Sequence, residues 1–206
     1  MQIEGEAVYI DAAGKRHSIE GIAALPNNIS LQNLKVSGSF SFDELSCDNL
    51  KLEGECVGKS IVGKKISVEG TFEVDSVQVE TFKLSGSTDI EKIVAKEILM
   101  ESRDGSIDAI KCDTLKIFHE DINEVGSAIL SKIFGGKISH HNNSRVHIKT
   151  IDAETIHLEN CAVEIIKCKD AFIGSNCAVE KLFVAGECKV ADNSTVGDTI
   201  RTQSDL

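Results

Sequence analysis

The chain has 206 residues, of which 41% are hydrophobic and only 4% aromatic, and its formal net charge is −11. This length suits one domain with a continuous core, and the negative charge argues against nucleic acid or an anionic membrane as a partner. No segment reaches the roughly 18 apolar residues of a transmembrane helix, and Met1-Gln-Ile-Glu-Gly-Glu does not resemble a signal peptide. We therefore expect a cytoplasmic protein that does not insert directly into a membrane.

Residues 1–28 predict a hairpin. Two runs with apolar residues, 8–10 and 16–22, are separated by a turn-forming stretch at 11–14. The repeat that fills the rest of the chain is not evident in these residues. Because an open solenoid end exposes apolar side chains and unpaired strands, we interpret this hairpin as an N-terminal cap.

From residue 29 onward, a short phrase recurs every 16 residues. Apolar residues occupy its first and third places, and Gly or Ser closes it. This alternation is the period of a strand with one buried face, not of a helix, and a fixed short period predicts a solenoid. The copies are Leu34-Lys-Val36-Ser-Gly38, Leu50-Lys-Leu52-Glu-Gly54, Ile66-Ser-Val68-Glu-Gly70, Phe82-Lys-Leu84-Ser-Gly86 and Ile98-Leu-Met100-Glu-Ser102.

Two further alternating pairs fall within each cycle. Pairs such as Leu45/Cys47 precede the phrase, and pairs such as Phe40/Phe42 follow it. Three short strands joined by tight corners predict an all-β fold, a single-stranded parallel β-helix with triangular coils of about 16 residues. The general preference of parallel crossovers favours the right-handed form. Residues 29–117 form its first part in this interpretation, and the whole helix has about nine coils.

Residues 118–145 are too many for one corner and predict one inserted α-helix. Asp121 and Glu124 form a plausible capping box, and Gly135-Gly136 ends the run. The apolar stripe of this helix packs either on the flank of its own β-helix or against a partner protein or second copy, and the sequence leaves both open. The stripe consists of Ile122, Val125, Ile129 and Ile133.

Residues 146–206 predict the second part of the β-helix and a polar C-terminal tail. The repeat continues to Leu182/Val184 and then fades. Because no cap is predicted at this end, its apolar side chains would face solvent. We expect self-association here, as a tail-to-tail dimer more readily than a filament, since a two-fold contact leaves nothing to propagate. The expected contact residues are Leu182, Val184, Val190 and Val196.

The single His-rich, basic patch contains His140, His141 and His147. Adjacent histidines can bind a transition metal or an anion, or act as a base, but no carboxylate or cysteine lies at ligand spacing beside them. We interpret the patch as a surface loop or a weak metal or anion site, and we expect no cofactor. Phosphate-loop, GxSxG and HExxH motifs are absent from the sequence.

Six of the seven cysteines fall at inward places of the repeat, where Cys acts as a small apolar filler. Cys161 and Cys177 lie one coil apart, close enough to form a disulfide in principle. Since the sequence shows no export signal, we expect free thiols. The six inward residues are Cys47, Cys56, Cys112, Cys161, Cys168 and Cys177.

The repeat resembles that of bactofilins, the polymer-forming cytoskeletal proteins of bacteria. The resemblance covers residues 29 to about 196 and is carried by Ile93-Val-Ala95-Lys-Glu-Ile98-Leu-Met100 and Ile151-Asp-Ala153-Glu-Thr-Ile156-His-Leu158-Glu-Asn160. It implies a right-handed β-helix that assembles end to end into nucleotide-independent filaments and acts as a scaffold for cell-shape or envelope machinery. The chain departs from the family in its insertion, its non-repeat N-terminus and its lack of proline-rich tails.

These features predict a non-catalytic structural scaffold that self-associates through the ends of its β-helix. Two alternatives stay open. One is a β-helix enzyme, an acyltransferase or a sugar-active enzyme that uses the His-rich insertion, although the hexapeptide pattern of such acyltransferases is missing and one Tyr offers little sugar stacking. The other is a regulatory module whose inserted helix binds a partner protein.

Overall fold

The computed structural model describes residues 7–10, 16–24, 29–118 and 145–202. These residues form ten strands and no helix. Some strands continue through the corners of a coil, so one strand can span several coils. They are β1 Ala7–Ile10, β2 Arg16–Ala24, β3 Ile29–Gln78, β4 Thr81–Val94, β5 Glu97–Phe118, β6 Val146–Leu158, β7 Cys161–Ile173, β8 Ala178–Val184, β9 Cys188–Val190 and β10 Thr195–Arg201.

The strands stack in parallel, each coil on the one before it. Ile66 pairs with Phe82 and Phe82 with Ile98, so partners are one 16-residue repeat apart. β1 pairs antiparallel with β2, and every other pairing between strands of the described ranges is parallel. The result is a β-solenoid of about nine turns, which confirms the predicted all-β solenoid.

Each coil has three alternating stretches, which we call sides A, B and C. Side A carries Val36, side C carries Phe40 and side B carries Cys47, and all three side chains are buried. Such inward residues from every coil form one continuous core. Because burying one Leu, Ile, Val or Phe side chain stabilises a fold by about 1.5–3 kcal/mol, these repeated columns hold consecutive coils together.

A stack of glycines closes the corner between sides A and C. Gly38 and Gly54 have φ angles of +130° and +137°, a region that residues with a side chain rarely adopt. A Cβ added at Gly54 would lie 2.1 Å from the carbonyl oxygen of Gly38. The glycine that ends the first four phrases is therefore needed both for its backbone conformation and for the close approach of consecutive coils.

The solenoid begins before the point that the sequence pattern indicates. β2 pairs in parallel with β3, which places Ile19 beside Val36 and Gly21 beside Gly38. β2 is thus already a coil of the stack, although the repeat is evident in the sequence only from residue 29. His17 explains the difference, because it takes the place that Leu34 holds in the next coil and so interrupts the apolar alternation.

The strand register continues across residues 119–144. Ile107 pairs with Ile148 and Ile117 with Leu158, so the coils on either side stack as if no residues intervened. The chain leaves side A after Phe118 and re-enters side C at Val146, which is the corner that glycines close in earlier coils. The helix predicted there, with its stripe of Ile122, Val125, Ile129 and Ile133, lies outside the described residues.

Candidate self-association surface

The last rung of the solenoid is built from β9 and β10. β9 pairs with β7 and places Val190 beside Ile173 on side A, whereas β10 pairs with β8 and places Val196 beside Val179 on side C. Within the described residues, no strand lies beyond β9 or β10. The outer edges of β9 and β10 therefore have no strand partner among the described residues, and a further strand can add on such an edge.

Apolar side chains are exposed at this rung. Val190 is 43% exposed and Ile200 is 42% exposed, while Cys188 and Val196 are partly buried and pack against the core. In earlier coils the next rung covers the equivalent of Val190, as it covers Ile173 below it. An apolar end with unpaired strand edges favours contact with another chain.

The structure separates the four residues that the sequence predicts for this surface. Val190 and Val196 lie on the last rung. Leu182 and Val184 lie one rung below and are 0% exposed, because β10 covers both of them. These two residues belong to the core, so the predicted surface is corrected to the rung that lies above them.

The sequence pattern does not reveal Ile200 or the strand that carries it. Thr199 and Arg201 occupy the inward places of this strand, so the apolar alternation that marks other coils is lost. Ile200 lies beside the outward Phe183 of the previous coil. Arg201 further secures the strand, since its guanidinium donates a hydrogen bond to the carbonyl oxygen of Gly186.

Charges on this end are mixed in sign. Lys189 and Glu187 approach to 3.7 Å, and both side chains are largely solvent-exposed. An exposed pair of this kind contributes at most about 1 kcal/mol. This ion pair is therefore a minor feature of the last rung beside its exposed apolar side chains.

His147 is the single member of the His-rich patch in the described residues. It points outward from side C, between Ser106 and Ala162, and borders an open groove of about 560 Å³. In the same groove the Nζ of Lys149 lies 2.7 Å from an Oδ1 of Asp108, and this hydrogen bond raises the pKa of Lys149. One of the carboxylates that line the groove is thus engaged by a lysine.

The predicted metal or anion site is not assembled by the residues that the structure describes. His140 and His141 lie outside them, and His147 lies on β6. Across residues 7–10, 16–24, 29–118 and 145–202, no group of three His, Cys, Asp or Glu side chains could hold a metal ion.

The cysteines are free, and six of the seven are buried at the inward places that the sequence predicts. Burial raises the pKa of Cys47 to about 11 and the pKa values of Cys56, Cys112 and Cys168 to about 12. Because the thiolate is the reactive form of cysteine, these four thiols are unreactive near neutral pH. They fill the core and offer no activated nucleophile.

In the part of the chain that the structure covers, no helix is long and apolar enough to cross a membrane. Comparisons of the chain with protein-family models, with curated proteins and with solved structures found no match.

Proposed function

We propose that this chain is a non-catalytic, bactofilin-like scaffold protein of the cytoplasm, a right-handed β-helix that self-associates through its C-terminal rung. The observation that carries the proposal is the exposure of Val190 on β9 and Ile200 on β10, two strands whose outer edges pair with no other strand in the part of the chain that the structure describes. The resemblance of the repeat to bactofilins supports the same conclusion, because members of that family assemble end to end.

The geometry favours a tail-to-tail dimer as the assembled form. About a two-fold axis, the rung of β9 and β10 meets the same rung of a second chain, so one patch is used twice and no free copy of it remains. The opposite end of the rod differs, because β1 adds an antiparallel strand to β2 there. A head-to-tail contact would therefore join two unlike surfaces.

Sedimentation velocity of the purified chain over about a hundred-fold concentration range tests this proposal. We expect a dimer in the wild type and at least about a tenfold weaker dimer in Val190→Lys, because the change places a charge in an apolar contact. Val62→Lys is the matched control, since Val62 is 47% exposed on side B in the middle of the rod. It should leave the dimer unchanged, and all three proteins should melt alike.

Two outcomes contradict the proposal. If the wild-type chain is monomeric at every concentration, it does not self-associate and the proposal is wrong. A Val190→Lys variant that keeps the wild-type assembly, while deletion of residues 1–22 or 119–145 abolishes it, places the interface elsewhere on the molecule.

A further inference from the structure

Two buried cysteines occupy matching places in consecutive coils near the C-terminal end of the rod. Ala162 pairs with Ala178 in the strand register, so the residues that precede them, Cys161 and Cys177, are neighbours as well. Consecutive strands lie about 4.8 Å apart, and the Cα atoms of a disulfide are usually roughly 4.4–6.8 Å apart. The backbone therefore already holds this pair at a separation that suits a disulfide.

The other cysteines of the chain stand beside residues of other types. Cys168 lies between Ala153 and Val184 in the strand register, and Cys112 is paired with Ala153. Cys188 is paired with an alanine of β7, and no cysteine lies one 16-residue repeat from either of the two cysteines in β3. Among the described residues, stacked thiols therefore occur at this one place.

The two thiols point towards the same short stretch of backbone. The Sγ of Cys161 donates a hydrogen bond to the carbonyl oxygen of Glu159 at 3.1 Å, and the Sγ of Cys177 donates one to that of Leu158 at 3.4 Å. Because the two acceptors belong to consecutive residues, both sulfur atoms lie at one turn of the chain. The interaction between the thiols raises the pKa of Cys161 and lowers that of Cys177.

A positive charge near Cys177 acts in the same direction. The guanidinium of Arg145 donates a hydrogen bond to Oδ1 of Asn176, the residue before Cys177, at 2.6 Å. The side-chain amide of Asn176 donates in turn to Oδ1 of Asn160 at 2.5 Å. These contacts hold Arg145 near the thiol, and its charge adds to the lowering of the pKa of Cys177. Because the thiolate is the reactive form of cysteine, Cys177 is the better nucleophile of the pair.

We propose that Cys161 and Cys177 form a redox-sensitive pair, which hydrogen peroxide converts into a disulfide that locks the last coils together. The sulfur of Cys177 attacks one oxygen of the peroxide, the O–O bond breaks, and the leaving hydroxide takes the thiol proton as water, which leaves a sulfenic acid on Cys177. The sulfur of Cys161 then attacks that of the sulfenic acid, the S–O bond breaks, and a second water leaves. The peroxide gains the two electrons that the thiols lose, and a dithiol reductant reverses the reaction.

The position of the pair near the end of the rod explains both its access and its effect. One rung covers Cys177: its carbonyl oxygen accepts a hydrogen bond from the amide of Thr195, and its amide donates one to Oγ of Ser194. The ends of a solenoid open more readily than its middle, so a molecule as small as hydrogen peroxide reaches the sulfur when this rung opens. The disulfide then ties the start of β8 to the start of β7, and β10 pairs with β8. This lock acts whether or not the chain self-associates.

The test uses the full chain, as wild type and as Cys188→Ser, which removes the partly exposed thiol. After treatment with hydrogen peroxide, the tryptic peptides 150–167 and 170–181 should be joined through Cys161 and Cys177 in both proteins, and dithiothreitol should separate them. Hydrogen exchange of β8 and β10 should slow by at least about fivefold on oxidation and recover on reduction. Cys161→Ser should stop at a sulfenic acid on Cys177, which dimedone traps. Cys112→Ser is the matched control, since Cys112 is also buried but is paired with an alanine, and it should keep the disulfide.

Three outcomes overturn the proposal. If peptides 150–167 and 170–181 are not joined in oxidised Cys188→Ser, the two cysteines do not form a disulfide, and this result requires no substitution in the core. If the peptides are joined but exchange in β8 and β10 is unchanged, the disulfide does not lock the last coils. If Cys161→Ser folds by circular dichroism but dimedone does not label Cys177, then Cys177 is not the attacking thiol.

Discussion

Cys161 and Cys177 lie next to each other in two consecutive coils. The thiol of Cys161 donates a hydrogen bond to the carbonyl oxygen of Glu159 at 3.1 Å, and the thiol of Cys177 donates one to that of Leu158 at 3.4 Å. Their neighbours Ala162 and Ala178 are paired in the strand register, so the two cysteines occupy the same inward place of side C. The interaction between the two neighbouring thiols raises the pKa of Cys161, which burial raises further, and lowers that of Cys177. Both side chains remain free thiols in a core that excludes water.

Thiol accessibility gives the first prediction. In the native protein near pH 8, we expect Cys188 alone to react quickly with a thiol reagent such as DTNB, because it is half-buried and the other six cysteines are buried. All seven should react in denaturant. The absorbance of the released chromophore measures the number of reactive thiols in the native and in the denatured protein. Cys188→Ser should remove the fast phase of the reaction with the native protein. A second fast-reacting thiol in that variant would show that part of the core is open to solvent.

Alkaline stability gives the second prediction. The pKa of Cys56 is raised from 9.0 to about 12 by burial, so the folded state keeps a proton that the unfolded state loses. The stabilisation is complete below pH 9.0 and is lost as pH rises towards the folded pKa, by about 1.4 kcal/mol per pH unit for one such thiol. Cys56→Ala should therefore show a shallower loss of stability than the wild type when urea denaturation is measured at several pH values above 9.0.

Cys188→Ala is the control for this alkaline series, since Cys188 is partly exposed at the last rung. It should show the wild-type dependence on pH. Equal slopes for Cys56→Ala and the wild type would contradict the assignment of a protonated, buried Cys56.

The glycine corner gives the third prediction. Gly54→Ala combines a φ of +137° with a Cβ 2.1 Å from the carbonyl oxygen of Gly38, and such strain alone costs about 1–3 kcal/mol before the clash is counted. We expect a large fall in the melting temperature or insoluble protein. Glu53→Ala is the control, because its side chain points outward and its ion pair with Lys51 is solvent-exposed. If Gly54→Ala and Glu53→Ala have the same melting temperature, the coils are not closely stacked at this corner.

The core register gives the fourth prediction. Val68 is buried on side A, whereas its neighbour Ser67 faces outward. Val68→Asp places an unpaired carboxylate between coils at a cost of several kcal/mol, so we expect unfolded or insoluble protein. Ser67→Asp should remain soluble and melt close to the wild type. The soluble yield and the melting temperature of each variant are measured. If Ser67→Asp is the more destabilised of the two variants, the inward and outward faces of this strand are exchanged.

The sequence predicts the solenoid well wherever apolar residues occupy both inward places of a stretch. Val36, Leu52 and Val68 mark side A in this way, and the structure buries all three. The pattern fails at both ends for one physical reason: polar residues stand at inward positions. His17 interrupts the apolar alternation of β2, and Thr199 and Arg201 interrupt that of β10, so neither strand is evident from the sequence pattern.

The candidate surface was predicted less completely than the fold. The sequence predicts four surface residues at the C-terminal end of the rod, and Val190 is exposed there, whereas Leu182 and Val184 are buried because β10, which is not evident in the sequence, covers them. Burial at the end of a solenoid depends on whether one further rung forms. Backbone pairing can form that rung with little apolar content, as Thr199 and Arg201 demonstrate, and a hydrophobic pattern does not record it.

The uninterrupted pairing of Ile107 with Ile148 and of Ile117 with Leu158 has an engineering consequence. The corner after Phe118 accepts a long run of chain while the pitch of the rod and the stacking of its coils stay the same. A foreign sequence inserted at this corner would therefore be attached to the solenoid at one defined coil. The sequence inserted at this corner can therefore be exchanged without any redesign of the coils that form the solenoid.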